Sequence, residues 1–302
     1  MFGRSARKAR AGRSFQKNEQ TELSAINGKS HDGPPATTAQ LKRATRNRRI
    51  FTFLTSFLLL VSVVFMILVE VGSTSANSKI RDQIYFIRLD LTNIVPASVP
   101  DSSIVNSIAR TLGLHDFYQV GLWSFCEGYN DQGVTDCSKP KALYWFDPVA
   151  IILNELLSGA TINLPSEVTK ILDLIRLVSH FMFGFFLSGT CLAFVMIFAA
   201  PLSIFSRWFS LLTSIFTFIV ALLLTVASVI ATVMFIIMRN AFTSVEDLNI
   251  KAALGQRMFA FMWIASGAAI IAALIQIGQC CCCASMRDVK TGRRTGSKKA
   301  WV

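Results

Sequence analysis

Four long stretches of this chain contain no Asp, Glu, Lys or Arg: residues 50–69, 177–200, 209–238 and 258–277. In a helix, at about 1.5 Å of rise per residue, twenty apolar residues cover the ~30 Å hydrocarbon core of a bilayer. A large soluble core can hide one such helix, but not four. The sequence therefore predicts an all-α membrane bundle of four transmembrane helices, with spans at 50–71, 177–200, 209–238 and 258–278. The third is longer than a bilayer requires and is expected to tilt or to project past it. Composition agrees, with 52% of residues hydrophobic and 16% charged, against roughly 25% charged in soluble domains.

The net charge of +12 would suggest a nucleic-acid partner in a soluble chain, but its distribution argues otherwise. Residues 1–49 hold twelve Lys or Arg and three acids, and residues 279–302 hold six and one. The segment 70–176 is net acidic, with twelve acids and eight bases, while 201–208 and 239–257 are each +1. By the positive-inside rule both termini are cytosolic, 72–176 and 239–257 are extracellular loops, and 201–208 is a cytosolic turn. The basic charge is tethered beside a membrane and lacks interleaved aromatics, so no nucleic acid is expected. The 1–49 arm has too few apolar residues to offset its ordering entropy and is expected to be disordered. No apolar run closely follows its first basic cluster, so no cleaved signal peptide is expected.

The first outer loop is too long for a plain connector and should carry its own fold. Alternation of Ile87, Leu89 and Leu91 with Arg88 and Asp90 predicts a strand. Residues 101–114 show helical spacing (Ile104, Ile108, Leu112), and 117–126 has strand composition. Cys126 and Cys137 flank a turn rich in Asn, Asp and Gly (Asn130, Asp131, Gly133), which reads as a disulfide-pinned hairpin. The extracellular placement puts both cysteines where disulfides form. Asp147-Pro148 and Pro165 each open a further expected helix, the second running on into the second span. The expected whole is a small disulfide-bonded extracellular β-sheet and α domain on the outer mouth of the bundle. No Asn-x-Ser/Thr occurs in either outer loop, so N-glycosylation is not expected there.

Candidate chemistry is sparse. The spans offer one imidazole, His180, and no buried carboxylate, Lys or Arg, which disfavours an ion- or proton-coupled transporter or channel. Small residues four apart, Gly184/Ser188, Ala227/Ala231 and Ala265/Ala269, read as helix-packing seams or as surfaces for self-association. Cys191 is expected to pack within the bundle. His31 and His115 have no catalytic or metal-ligand neighbourhood. No phosphate-binding glycine loop, catalytic triad or metal-ligand helix appears, so no enzyme activity, cofactor or metal is expected.

Cys280, Cys281, Cys282 and Cys283 follow the fourth span directly. Four consecutive helical positions point around the axis rather than at one metal, which disfavours zinc. Juxtamembrane cysteines suit S-palmitoylation; inert thiols are the bland alternative. Arg46, Arg48 and Arg49 at one end, and Arg287, Lys290, Arg293 and Arg294 at the other, are candidate contacts to the anionic inner leaflet of the bilayer. Each is worth about 1 kcal/mol there; topology determination alone is the competing account. Trp123 is either part of a recognition surface or, more simply, a residue packed over the hairpin.

Gly121, Leu122 and Trp123 with Cys126 and Cys137, on a four-span chain with a long first outer loop, resemble the claudin-like tetraspan pattern. More specifically, IYFIRLDLTNI, VGLWSFCEG, CSKPKALYWFDPVAIILNELL, LPSEVTK, HFMFGFFLSGTCLAFV, FMWIASG and CCCCASMRDVKTGRR are similar to the fungal SUR-seven/PalI family of cortical-patch tetraspans. The resemblance covers residues 80–294. It implies a non-enzymatic plasma-membrane protein of static cortical patches (eisosomes), with roles in membrane organisation, cell-wall integrity and morphogenesis. Other membrane or cortical patch proteins, or further copies of the chain, would be its partners. A branch of the family implies an alternative, a PalI-type accessory of an ambient-pH-sensing receptor complex. The basic arm is not part of the family pattern.

Overall fold

A computed structural model describes residues 43–76, 81–92, 115–147, 166–205, 207–243 and 251–282. The chain divides into two compact units, Met1–Arg46 with Ala284–Val302, and Asn47–Cys283. The described residues of the first, 43–46, are mostly helical. The second holds everything that follows. The helices expected over 101–114 and after Asp147 lie outside the described residues, as do His31, Cys283, Arg287, Lys290, Arg293 and Arg294.

Four helices are long and apolar enough to cross a membrane: α1 (Arg46–Val71), α2 (Ser166–Ala199), α3 (Arg207–Thr243) and α4 (Gln256–Cys282). A 3₁₀ turn at Ala200–Ile204, opened by Pro201, separates α2 from α3. Proline removes a helical N–H and closes the α2 ladder there. As expected, the helix after Pro165 runs unbroken into the second span. α3 packs on both α2 and α4. Its seam with α4 is built of small residues, Ala227 and Ala231 facing Ala265 and Ala269, all fully buried. The Ser228 and Ser266 hydroxyls are 2.8 Å apart in that seam, and Ser266 also reaches the Leu224 carbonyl at 3.1 Å. In lipid there is little hydrophobic force between helices, so close backbone approach and such bonds hold the pair. Among the described residues Gly184 and Ser188 form no such seam: space beside Gly184 is open and Ser188 is exposed.

At one end of the bundle lies a five-stranded antiparallel sheet: β1 (Ile87–Asp90), β2 (Phe117–Val120), β3 (Phe125–Tyr129), β4 (Gly133–Cys137) and β5 (Lys251–Leu254), in the order β4-β3-β2-β1-β5. Residues 117–126 are not one strand. Gly121–Ser124 turns the chain, the Gly121 N–H donating to the Ser124 carbonyl at 2.9 Å, so β2 and β3 form a hairpin of their own. The β3–β4 hairpin follows the expected turn and places Cys126 opposite Cys137. These two are disulfide-bonded, with Cα atoms 4.0 Å apart. Strand β5 has no counterpart among the expected elements. It comes from the second connecting loop and pairs with β1, Ile87 opposite Leu254 and Asp90 opposite Lys251.

Sheet and bundle share one hydrophobic core. Met66, Phe86, Ile87, Val120, Leu122, Phe186, Phe235 and Met258 belong to a single buried cluster. Phe86, just before β1, stacks on Phe235 of α3 (centroids 4.6 Å, planes 6° apart) and meets Phe259 of α4 edge-on. The sheet is therefore anchored to the helices by aromatic burial, not merely tethered to them.

Candidate functional site

Three places concentrate chemistry: the junction of sheet and bundle, the far end of the bundle, and a cleft beside β5.

The junction holds the Gly121-Leu122-Trp123 run. A Cβ on Gly121 would lie 2.7 Å from the Gly72 carbonyl oxygen and 2.9 Å from Ser73 Cβ, so only glycine lets the β2–β3 turn touch the end of α1. Leu122 is buried in the shared core. The Trp123 ring lies edge-on to Phe183 of α2, with centroids 4.7 Å apart. The turn at 121–124 brings the indole to the second span, a contact that no local sequence pattern announces. Beneath it Ser73, at φ +52°, is held by its neighbours. Its hydroxyl donates to the Ile84 carbonyl (2.9 Å), and its own carbonyl accepts from Ser124 Oγ (2.7 Å). A left-handed non-glycine residue costs on the order of 1 kcal/mol and persists only where such contacts fix it. Cys126 Sγ lies 3.2 Å from that carbonyl as well. The motif and the disulfide thus form a structural clasp on the end of the first span.

The far end holds a polar network that no local sequence pattern announces. Arg48, taken above for a lipid contact, is 1% exposed. Its guanidinium donates to the Ser203 carbonyl in the 3₁₀ turn. Ser203 is itself fully buried, so the guanidinium supplies a charge-assisted hydrogen bond where water does not reach. Arg48 lies two residues before the uncharged run and is buried all the same. The Thr52 hydroxyl bridges the Arg48 carbonyl (2.8 Å) and the Gln279 side-chain amide (2.9 Å). One turn back on α4, Gln276 Nε2 donates to Thr213 of α3 at 3.3 Å. The cluster draws on α1, the 3₁₀ turn, α3 and α4. Arg46 is exposed and Arg49 half-buried.

Cys280 is half-buried beside this network, and Cys281 and Cys282 complete the helix. Among the described residues no group of His, Cys, Asp and Glu is arranged to hold a metal ion. Cys191, expected inside the bundle, is exposed on the outer face of α2. His180 is half-buried. His115 lies 3.7 Å from the Glu127 carboxylate and 4.9 Å, ring to ring, from Tyr129.

The cleft lies where β1 and β5 meet the start of α4, has a volume of about 430 Å³, and is lined by polar side chains including Asp82, Arg88, Gln119 and Arg257. Arg88 is held in place there, its guanidinium 3.7 Å over the Phe117 ring and donating to Asn130 Oδ1 at 3.1 Å. Burial raises the Asp82 carboxyl above its ordinary range, although the neighbouring Arg81 pulls the other way.

Four apolar helices carrying a disulfide-bonded sheet, with strands drawn from both connecting loops, define a multi-pass membrane protein with a folded headpiece. The model of the SUR7/PalI family matches residues 51–275, and the chain belongs to that family. It is similar to the SUR7 family protein pun1 of Schizosaccharomyces pombe, with 24% identity over 278 residues, covering 76% of this chain and 93% of the relative. It is also similar to Protein PUN1 of Saccharomyces cerevisiae, with 27% identity over 125 residues, 41% of this chain and 47% of the relative.

Proposed function

We propose that this protein is a non-enzymatic organiser of a cortical plasma-membrane microdomain, the eisosome or cortical patch, with roles in cell-wall integrity and morphogenesis. Both termini are cytosolic and the sheet is extracellular in this reading. The observation that carries it is how the bundle divides its side chains. Small residues and hydroxyls close the α3–α4 seam, while large apolar groups such as Phe57, Phe198, Phe218, Ile237 and Leu274 cover the outside. Such a surface is matched to lipid and to neighbouring spans, the contacts a lateral organiser uses. The cysteines at 280–283 then lie at the inner leaflet, where S-palmitoylation would add to membrane hold.

Imaging a tagged full-length chain tests the reading: it should mark static cortical patches, and its deletion should sensitise cells to wall stress. Because the matched family also takes in PalI, a pH-sensing accessory is the second reading. Diffuse surface signal together with loss of alkaline adaptation in the deletion strain would replace the first by the second.

A further inference from the structure

The cleft beside β5 has a depth, a charge pattern and a set of unsatisfied groups that together specify a ligand. Its depth follows from α4. Gln256 and Arg257 line the cleft and open that helix, and the uncharged run begins at the next residue, Met258. The mouth therefore lies where the fourth span leaves the hydrocarbon, at the level of the lipid headgroups.

The charge pattern is two-sided. Arg257, exposed on the helix, and Arg88, fixed over Phe117, supply guanidinium donors. Asp82 supplies a carboxylate, and its Oδ1 is buried with no hydrogen-bond partner. Gln119, 3% exposed, lines the same cleft, and its side-chain carbonyl has no partner either. A buried acceptor without a donor is costly, so both are positions where a ligand N–H or O–H is missing. The burial that raises the Asp82 carboxyl acts in the same sense, because a cation brought to it would offset the lost hydration.

We propose that this cleft binds the headgroup of a zwitterionic phospholipid carrying a primary ammonium. The phosphate rests on Arg257 and Arg88, and the ammonium donates to Asp82 and Gln119. A purely anionic headgroup would meet the Asp82 carboxylate unfavourably. A trimethylammonium has no N–H to offer the two acceptors. A sugar would satisfy the acceptors but leave the guanidiniums without counter-charge. The inference requires only that the four helices cross a bilayer, so it stands apart from the cortical-microdomain reading.

The test uses the full chain in detergent micelles doped with equal amounts of phosphatidylethanolamine, phosphatidylcholine and phosphatidylglycerol of identical acyl chains. Native mass spectrometry then reads the retained lipid. Ethanolamine lipid should be held at least about tenfold over choline lipid, the ratio expected of one charge-assisted hydrogen bond. Asp82→Asn should erase that preference, and Arg257→Gln, on an exposed residue that leaves the fold intact, should lower retention of all three lipids. Non-reducing gels confirm the Cys126–Cys137 bond in each variant. Equal retention of ethanolamine and choline lipids overturns the proposal, as does a preference that survives Asp82→Asn. Preferential retention of phosphatidylglycerol would make the cleft a simple anion site, and displacement of the lipid by a soluble oligosaccharide would make it a sugar site; either result ends the proposal.

Discussion

Trp123 stands edge-on to Phe183, with ring centroids 4.7 Å apart and planes at 76°, and so fastens the β2–β3 turn to the second span. Trp123→Ala should lower the stability of the detergent-purified protein by about 2 kcal/mol, combining lost burial with a lost aromatic pair. Trp123→Phe, which keeps a ring against Phe183, should lose about half of that. Thermal unfolding followed by intrinsic fluorescence and by non-reducing gels reads both. An unchanged Tm in the alanine variant would return Trp123 to the status of a surface recognition residue.

Gly121 is tolerated at its position only because it has no side chain. Gly121→Ala places a methyl against the Gly72 carbonyl and Ser73, backbone that cannot swing aside, and should cost about 1–3 kcal/mol. Gly184→Ala, at a helical position with open space, should be neutral or stabilise by up to about 1 kcal/mol. The pair is best compared in one thermal-shift series.

Arg48 and Arg46 separate a structural cation from an exposed one. Arg48→Leu leaves the Ser203 carbonyl without its donor and should cost about 1–3 kcal/mol. Arg46→Gln should shift stability by no more than about 0.5 kcal/mol. Equal effects would mean that the far-end network contributes nothing to the fold.

Asp82 gives a pH signature. Its carboxyl is raised by burial above the ordinary 3.8, so the folded state favours the protonated form. The stabilising contribution is complete below pH 3.8 and is lost as pH rises through the folded-state value. At pH 7, in micelles free of ethanolamine lipid, Asp82→Asn should therefore raise Tm. That gain should vanish as pH falls toward 3.8. A variant less stable than the parent at pH 7 would show that Asp82 has a favourable partner in the free protein.

Cys126→Ser removes the bond across the β3–β4 pair. The bridged positions are 11 apart in sequence, and closing a loop of that size is worth about 3 kcal/mol. Reduced surface delivery, read by surface biotinylation of intact cells, is the expected outcome, and Cys137→Ser should match it. Normal trafficking of both would remove the disulfide from any role in folding.

Much of this architecture was legible because lipid imposes strong, local rules. Uncharged runs marked a span inside each of α1 to α4, although α2 starts eleven residues before its run; alternation at Ile87 and Leu89 marked β1, and the turn residues before Gly133 marked the β3–β4 hairpin. What escaped was long-range. Lys251–Leu254 is short and holds no β-branched or aromatic residue, so only its partner β1 makes it a strand. Arg48 reads from its neighbours as one more juxtamembrane cation. What buries it is the 3₁₀ turn at Ser203, 155 residues away. The cleft is likewise assembled from three segments, around Asp82, Gln119 and Arg257, that no local pattern connects.

The pairing of β1 with β5 also sets an order of events during synthesis. The hairpins β2–β3 and β3–β4 are local and can close, disulfide included, while the second and third spans are still being made. The free edge of β1 has to wait until residues 251–254 emerge on the same side, after α3 has crossed. Until then the nascent headpiece carries an unpaired strand edge, the feature that invites mispairing and chaperone retention. Completion of the sheet is thus a built-in report that the third helix has been inserted the right way round.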